Sequence, residues 1–437
     1  MLTTPKTNWT KLDNGVRVIS ERIEGSASTA ISVLVDAGPQ DEEPGQNGLA
    51  HLCEHAFFLG TPLRSSEELA LQIDAAGGYF GAFTAPDYTC FNTHVLSEYT
   101  SYAIDLLGDI LVASKFPEEG IEKEIGVICQ EIAGYDDSEE TILLQSIKRN
   151  LWPGDTLSKS TTGTVAEVQS LDRSDVAKFV SRQYTPDRLI VAAAGSLDHE
   201  SIVEQVQDAF WPLRGESQVR DRQLVKPVGG FTVTSMPKSQ CSFSVGIPVP
   251  HYADDRRYAL HVMSNLLGGG MSSRLFQALR DQHGLVYGIQ SSILGYQRGG
   301  VFVVNGATSV ENLTQSVLLV LMKLMALASW EEPVDEEELW KSKMQVRSQS
   351  RLTTELISNR VARIATQEFY LGQRIGDDEI IEAIDSVTIE DLKSLAAEVL
   401  LAGMSQLSLA TVGPLSEARN VCDELKDIYD SFKAVNG

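Results

Sequence analysis

Apolar positions recur along this chain in two registers. Stretches 16–21 and 29–37 alternate with period two, Ile31, Val33 and Val35 falling on one face, and predict strands. Stretches 48–59, 66–76, 98–114 and 117–135 follow the 3.6-residue period of amphipathic helices. In the last of these, Ile121, Ile125, Ile128 and Ile132 form the apolar stripe. The pairs Gly77-Gly78 and Gly299-Gly300 introduce further strands. Strands and helices are mixed without regular β–α–β alternation, the pattern of an α+β fold. The apolar run 316–329 carries Lys323 in its middle and is shorter than a bilayer span, so it predicts a buried helix.

The pattern occurs twice. LIVAAAGSLDHESIVEQVQDAFWPL at 189–213 reads as apolar strand, glycine turn and amphipathic helix, and LSLATVGPLSEARNVCDELKDIYDSF at 407–432 has the same layout. Their turn glycines, Gly195 and Gly413, lie 218 residues apart. SLDRSDVAKF from Ser170 and SVTIEDLKSL from Ser386 are helix starts offset by 216 residues. Two echoes at nearly one offset predict two homologous domains, 1–215 and 230–437. The polar stretch 216–229, closed by proline and glycine, is the expected linker.

Composition adds one constraint. At 437 residues, 43% hydrophobic and 22% charged, the chain suits two or three soluble domains. The 60 acidic against 36 basic residues leave a net charge of −24. That excess argues against a nucleic-acid footprint and against docking on anionic lipid; it favours, if anything, a basic peptide ligand. Five cysteines stand singly with no CxxC pair, which speaks against a disulfide framework and a cysteine zinc site. The first fifteen residues contain no apolar signal core. The expected location is a bacterial cytoplasm, with an organellar matrix or stroma also compatible.

His51-Leu52-Cys53-Glu54-His55 is the most informative pentapeptide. With only seven histidines in the chain, a chance HxxEH is expected about 0.02 times. On a helix opened by Asn47 or Gly48 and closed by Gly60, residues four apart share a face, so both imidazoles reach one ion and Glu54 lies near the same spot. Without an ion they read as capped or solvent-facing histidines. In the helix after Pro117, Glu124 and Glu131 fall side by side on the border of the apolar stripe. They read either as carboxylates serving a metal and a histidine N–H or as a salt-bridged helix edge.

HLCEH followed by Glu124 and Glu131, 76 residues beyond His55, resembles the inverted-zincin peptidases of the pitrilysin, insulysin and mitochondrial-processing-peptidase family. FTAPDYTCF at 83–91 resembles that family's strand pair near the site, and Arg280 with Tyr287 its substrate-gripping pair. The resemblance implies two domains, each a mostly antiparallel sheet flanked by helices. It implies one Zn2+ per chain, held by His51, His55 and Glu131. Glu54 would be general base, Glu124 would orient a ligand, and Tyr287 would stabilise the oxyanion beside Arg280. Gly81 and Ala82 match the substrate-facing strand, where the family usually has Asn at the position of Gly81. The implied activity is endoproteolysis of peptides or presequence-like segments inside a dimeric chamber. A homodimer is favoured over a heterodimer, because this chain carries both half-motifs. The family's second branch is a non-catalytic core-protein-like subunit of a heteromeric complex.

Overall fold

Strand Ser28–Val35 (β3) illustrates how the first sheet is built. Its side chains are buried on both faces, not on one as alternation alone suggests. Ile31, Val33 and Val35 enter one cluster with the helix Leu49–Ala56, while Ala30 and Leu34 enter a second with the helix Ile357–Leu371. The computed structural model describes residues 6–436 apart from 219, 221 and 417. Around β3 lie Thr7–Lys11 (β1), Arg17–Arg22 (β2), Tyr79–Thr84 (β4), Thr89–Leu96 (β5) and Leu189–Gly195 (β6), in the order β1-β2-β6-β3-β5-β4. Only β2 and β6 run parallel.

The second sheet repeats this plan. Gly230–Ser235 (β7), Cys241–Val249 (β8), Ile289–Gly295 (β9), Gly300–Thr308 (β10) and Ser408–Gly413 (β11) are ordered β7-β11-β8-β10-β9, with β7 and β11 parallel and the other neighbours antiparallel. The fold is thus α+β, with two mostly antiparallel sheets flanked by helices. The repeated glycines have one cause. Gly195 closes β6 at φ +130°, where a side chain would collide with the Ser28 carbonyl. Gly413 closes β11, where a Cβ would lie 2.6 Å from Cys241 Sγ.

The compact units do not follow the boundaries at 215 and 230. One comprises the described residues of 1–134, 159–221 and 351–378; the other comprises those of 135–158, 222–350 and 379–437. Each half of the chain therefore lends a helical segment to the other half's sheet: Ile357–Leu371 covers β6 and β3, and Glu139–Leu151 covers β11 and β8. Amphipathic periodicity shows that a helix covers something, not which sheet, so halving the chain missed the exchange. Of the expected linker 216–229, positions 219 and 221 lie outside the described residues. Arg220 is tied into the first unit through Asp36 and Asp41, and Val225 N–H bonds the Arg298 carbonyl in the second.

Expected and observed elements agree closely around the motifs. Helices occur at Ser66–Ala75, Thr100–Ala113 and Glu118–Asp136. The HLCEH helix is shorter than the 48–59 pattern, ending at Ala56 with Phe57 as its cap. The apolar run at 316–329 falls in Val310–Ala328 and its cap Ser329, the single helix among the described residues long and apolar enough to cross a membrane; Leu313, Val317, Leu321 and Leu324 are buried in the second unit.

Candidate metal centre

The site begins with how the helix Leu49–Ala56 starts. Its N-cap is Gly48, at φ +97° and with no side chain to offer. Glu42 supplies the acceptor instead. Its Oε1 takes the Gly48 and Ala50 N–H groups at 3.1 and 3.0 Å, and Oε2 takes Asn47 Nδ2 at 3.1 Å. Glu42 is only 7% exposed, and burial pushes its carboxyl from an ordinary 4.5 up to about 7 against the pull of those donors.

Glu42 thereby makes stability depend on pH. The folded state holds a proton that the unfolded state has released between about pH 4.5 and 7, so this contribution is fully present below the lower value and lost as pH rises through the upper one. Melting curves of wild type and Glu42→Gln across about pH 5 to 8 are expected to show the Tm difference moving against wild type as pH rises. A pH-independent difference would refute the assignment.

The helix carries His51 one turn before the neighbouring Glu54 and His55, and Glu118–Asp136 brings up Glu124 and Glu131. Ile121, Ile128 and Ile132 bury the face beside these carboxylates, whereas Glu119 points outward and pairs with Lys123. His51 Nε2 and His55 Nε2 each lie 3.8 Å from Glu131 Oε2. One donor atom from each of the three residues falls within 4.8 Å of the others. Tetrahedral zinc ligands at about 2.0–2.1 Å from the ion stand roughly 3.4 Å apart, so a small inward movement closes the set.

The donor chemistry fits a divalent cation. Burial, followed by the neighbouring His55, lowers the His51 pKa to about 4, so its imidazole is neutral at neutral pH. His51 Nδ1 is buried without a hydrogen-bond partner among the described residues. With its proton on Nδ1, His55 donates to Glu124 Oε2 at 2.8 Å, leaving Nε2 free of a proton on the side of Glu131. Two neutral nitrogens and a carboxylate then converge with no proton between them, an arrangement that a cation relieves. Removing the orienting acceptor by Glu124→Ala is expected to weaken zinc binding about 10- to 100-fold; competition with a chelating dye measures it, and unchanged affinity would remove Glu124 from the site.

Glu54 is 9% exposed, and burial raises its carboxyl pKa, opposed by its hydrogen bond from Thr84 and by His55. The Thr84 hydroxyl donates to Glu54 Oε2 at 2.6 Å. Thr84 ends β4, an outer strand of its sheet. Ala85 N–H bonds the Tyr88 carbonyl at 2.8 Å to close the β4–β5 hairpin. Antiparallel alternation then directs the main-chain groups of Tyr79, Gly81 and Phe83 to β5, and those of Phe80, Ala82 and Thr84 to the open edge. Of the two expected substrate-facing residues, Ala82 therefore offers main-chain groups outward, while Gly81 offers only space.

Arg280 and Tyr287 belong to the second unit. The Arg280 guanidinium stacks 4.8 Å from the Phe276 ring centroid and 5.1 Å from that of Tyr287, and Tyr287 is 85% exposed. Cys53, inside the motif, is fully buried among apolar neighbours, with its thiol pKa pushed up by burial. Two contributors escaped the sequence reading. Thr84 stood in the quoted strand with nothing to link it to Glu54, and Glu42 caps a helix from six residues before Gly48, outside any local capping pattern.

Two imidazoles and a carboxylate converging from two helices, with a buried glutamate beside them, place the molecule in the class of proteins built like zinc peptidases. Comparison with known proteins makes this specific. Residues 17–165 match the model of insulinase, peptidase family M16, and 170–346 match the peptidase M16 inactive domain. An uncharacterized zinc protease of Mycobacterium tuberculosis is 31% identical over 422 residues, 95% of either chain. The chain belongs to peptidase family M16. Among solved structures, a protease from Helicobacter pylori superposes with a TM-score of 0.85 at 22% identity, covering 94% of this chain and 100% of that one. A chain of complex III2 from Candida albicans superposes at 0.81 with 14% identity, covering 96% and 99%.

Proposed function

We propose that this protein is a zinc-dependent endopeptidase acting on extended peptides. One observation carries the reading: His51, His55 and Glu131 offer a three-donor set within 4.8 Å, and Glu54, beside His55, is tied to the end of an open-edged strand. Zinc held by the three donors would supply Lewis-acid polarisation of a substrate carbonyl. Glu54 accepts the proton of the attacking water and returns it to the leaving amine; its raised pKa suits both directions of transfer. Thr84 holds that carboxylate in place. A peptide laid along β4 as an added strand meets the outward N–H and C=O groups of Phe80, Ala82 and Thr84, which bring its backbone alongside Glu54 whatever its side chains. Arg280, held against the Phe276 and Tyr287 rings, presents forked donors for peptide carbonyls, and the exposed Tyr287 hydroxyl supplies a neutral donor for an oxyanion.

The complex III2 chain shares the fold, so the fold alone does not choose between an enzyme and a structural subunit; the complete donor set favours the enzyme. With both half-motifs in one chain, the working form is read as a homodimer. The test is zinc content, mass in solution and cleavage of a mixed peptide library, followed by mass spectrometry. Zinc at one per chain, a mass of two chains and zinc-dependent internal cleavage are expected. A zinc-loaded protein that cleaves nothing would overturn the peptidase reading, and a fully active monomer the dimer.

A further inference from the structure

Gly81 leaves a gap on strand β4, and the gap is filled from along the strand. Side chains of Phe80 and Ala82 pack into the core shared with the HLCEH helix, so Tyr79, Gly81 and Phe83 face the opposite way. The Tyr79 side chain leans over Gly81: a Cβ at position 81 would collide with its hydroxyl and lie 2.8 Å from its Cζ. The ring thus occupies the space a side chain at 81 would take. Tyr79 is 62% exposed, so much of the residue is open to solvent. Across the ladder, Asn92 pairs with Gly81, but its Oδ1 already accepts from Ser32 Oγ at 2.6 Å.

This geometry matters for a peptide added at the open edge. Because the main-chain groups of Gly81 turn inward to β5, the residue opposite Gly81 in a peptide running antiparallel to β4 falls in a non-hydrogen-bonded pair, with Cα atoms about 4.5 Å apart and side chains at their closest. On the outer face that side chain finds no glycine side chain to meet, only the Tyr79 ring. Here the cover comes from the same strand, so a peptide side chain across the edge would stack on that ring, which rewards a large apolar partner.

We propose that Tyr79 is a specificity-determining residue, its ring over Gly81 receiving an aromatic or large aliphatic side chain of the bound peptide. That position lies three residues along the peptide from the one opposite Thr84, about 10 Å away. The inference rests on the reading that an extended peptide binds along β4, and it deepens that reading by naming a substrate preference. The ring does the selecting; the hydroxyl is dispensable.

The test measures binding, not turnover. Zinc-loaded Glu54→Gln is titrated with alanine- and serine-based decapeptides in which a single Phe is moved through every position. One position is expected to bind roughly tenfold more tightly than its neighbours. Adding Tyr79→Ala should abolish that maximum, and Tyr79→Phe should retain it. Gly81→Ala, which displaces the ring, should reduce it. A flat scan, or a maximum that survives Tyr79→Ala, overturns the proposal. The two readings fail separately. A Tyr79-dependent maximum in a protein whose Glu54 form cleaves nothing sinks the peptidase and leaves the binding preference. Internal cleavage with a Tyr79-independent scan does the reverse.

Discussion

Glu54→Gln is expected to lower kcat/KM for peptide hydrolysis by about 10²- to 10⁴-fold while zinc binding stays near the wild-type level. Glutamine keeps the size of the side chain and can still accept the 2.6 Å hydrogen bond from Thr84, so local packing is preserved. What disappears is a group able to take a proton from water and give it back. Glu54 is not among the three converging donors, and its carboxylate is the buried group nearest in chain to His55. Metal analysis and steady-state kinetics on the same preparation decide the matter. Loss of zinc alongside activity would reassign Glu54 as a ligand, and retained activity would place the base elsewhere.

The second large effect concerns the ligands. Glu131→Ala is expected to empty the site of zinc and remove hydrolysis entirely, and returning zinc at ordinary concentrations should not restore it. Glu131 is the only charged donor of the three and the one contributed by the second helix, 3.8 Å from each imidazole nitrogen. Without it, two neutral nitrogens remain, short of the three protein ligands that catalytic zinc sites use. His51 adds a pH signature. Since its imidazole stays neutral down to about pH 4, it does not compete with zinc for a proton in mildly acidic solution. Zinc content of dialysed wild type and Glu131→Ala, read across a pH series, checks both statements. A variant that holds zinc as tightly as wild type would eliminate Glu131 as a ligand.

Much of the centre was legible because its spacings are internal to single helices. His51 and His55 are four apart, and Glu124 and Glu131 are seven apart beside the stripe of Ile121, Ile128 and Ile132, so helical periodicity alone places each pair on one face. That one helix would bring its carboxylates to the other helix's histidines came from the family resemblance. The distances of 2.8 and 3.8 Å now show the two sets together. The double occurrence of a strand, a glycine and a helix around Gly195 and Gly413 likewise announced two sheets of one plan.

Other features depended on which segments meet, and no local pattern encodes that. Glu42 caps the HLCEH helix because the loop before it folds back. Thr84 reaches Glu54 because β4 lies beside that helix, and the Tyr79 ring covers Gly81 because the glycine leaves it room. The helices Glu139–Leu151 and Ile357–Leu371 each serve the sheet of the other chain half. Intra-helix geometry follows from fixed rise and rotation per residue, so the sequence by itself determined which side chains share a helix face and the repeated α+β plan, while the family resemblance named the candidate donors. Pairing across tens or hundreds of residues is selected by burial and by satisfying buried polar groups, which depend on all the packed segments at once. Only the tertiary structure therefore decided how the donors are held, which strand edge stays open beside them, and what lies on it.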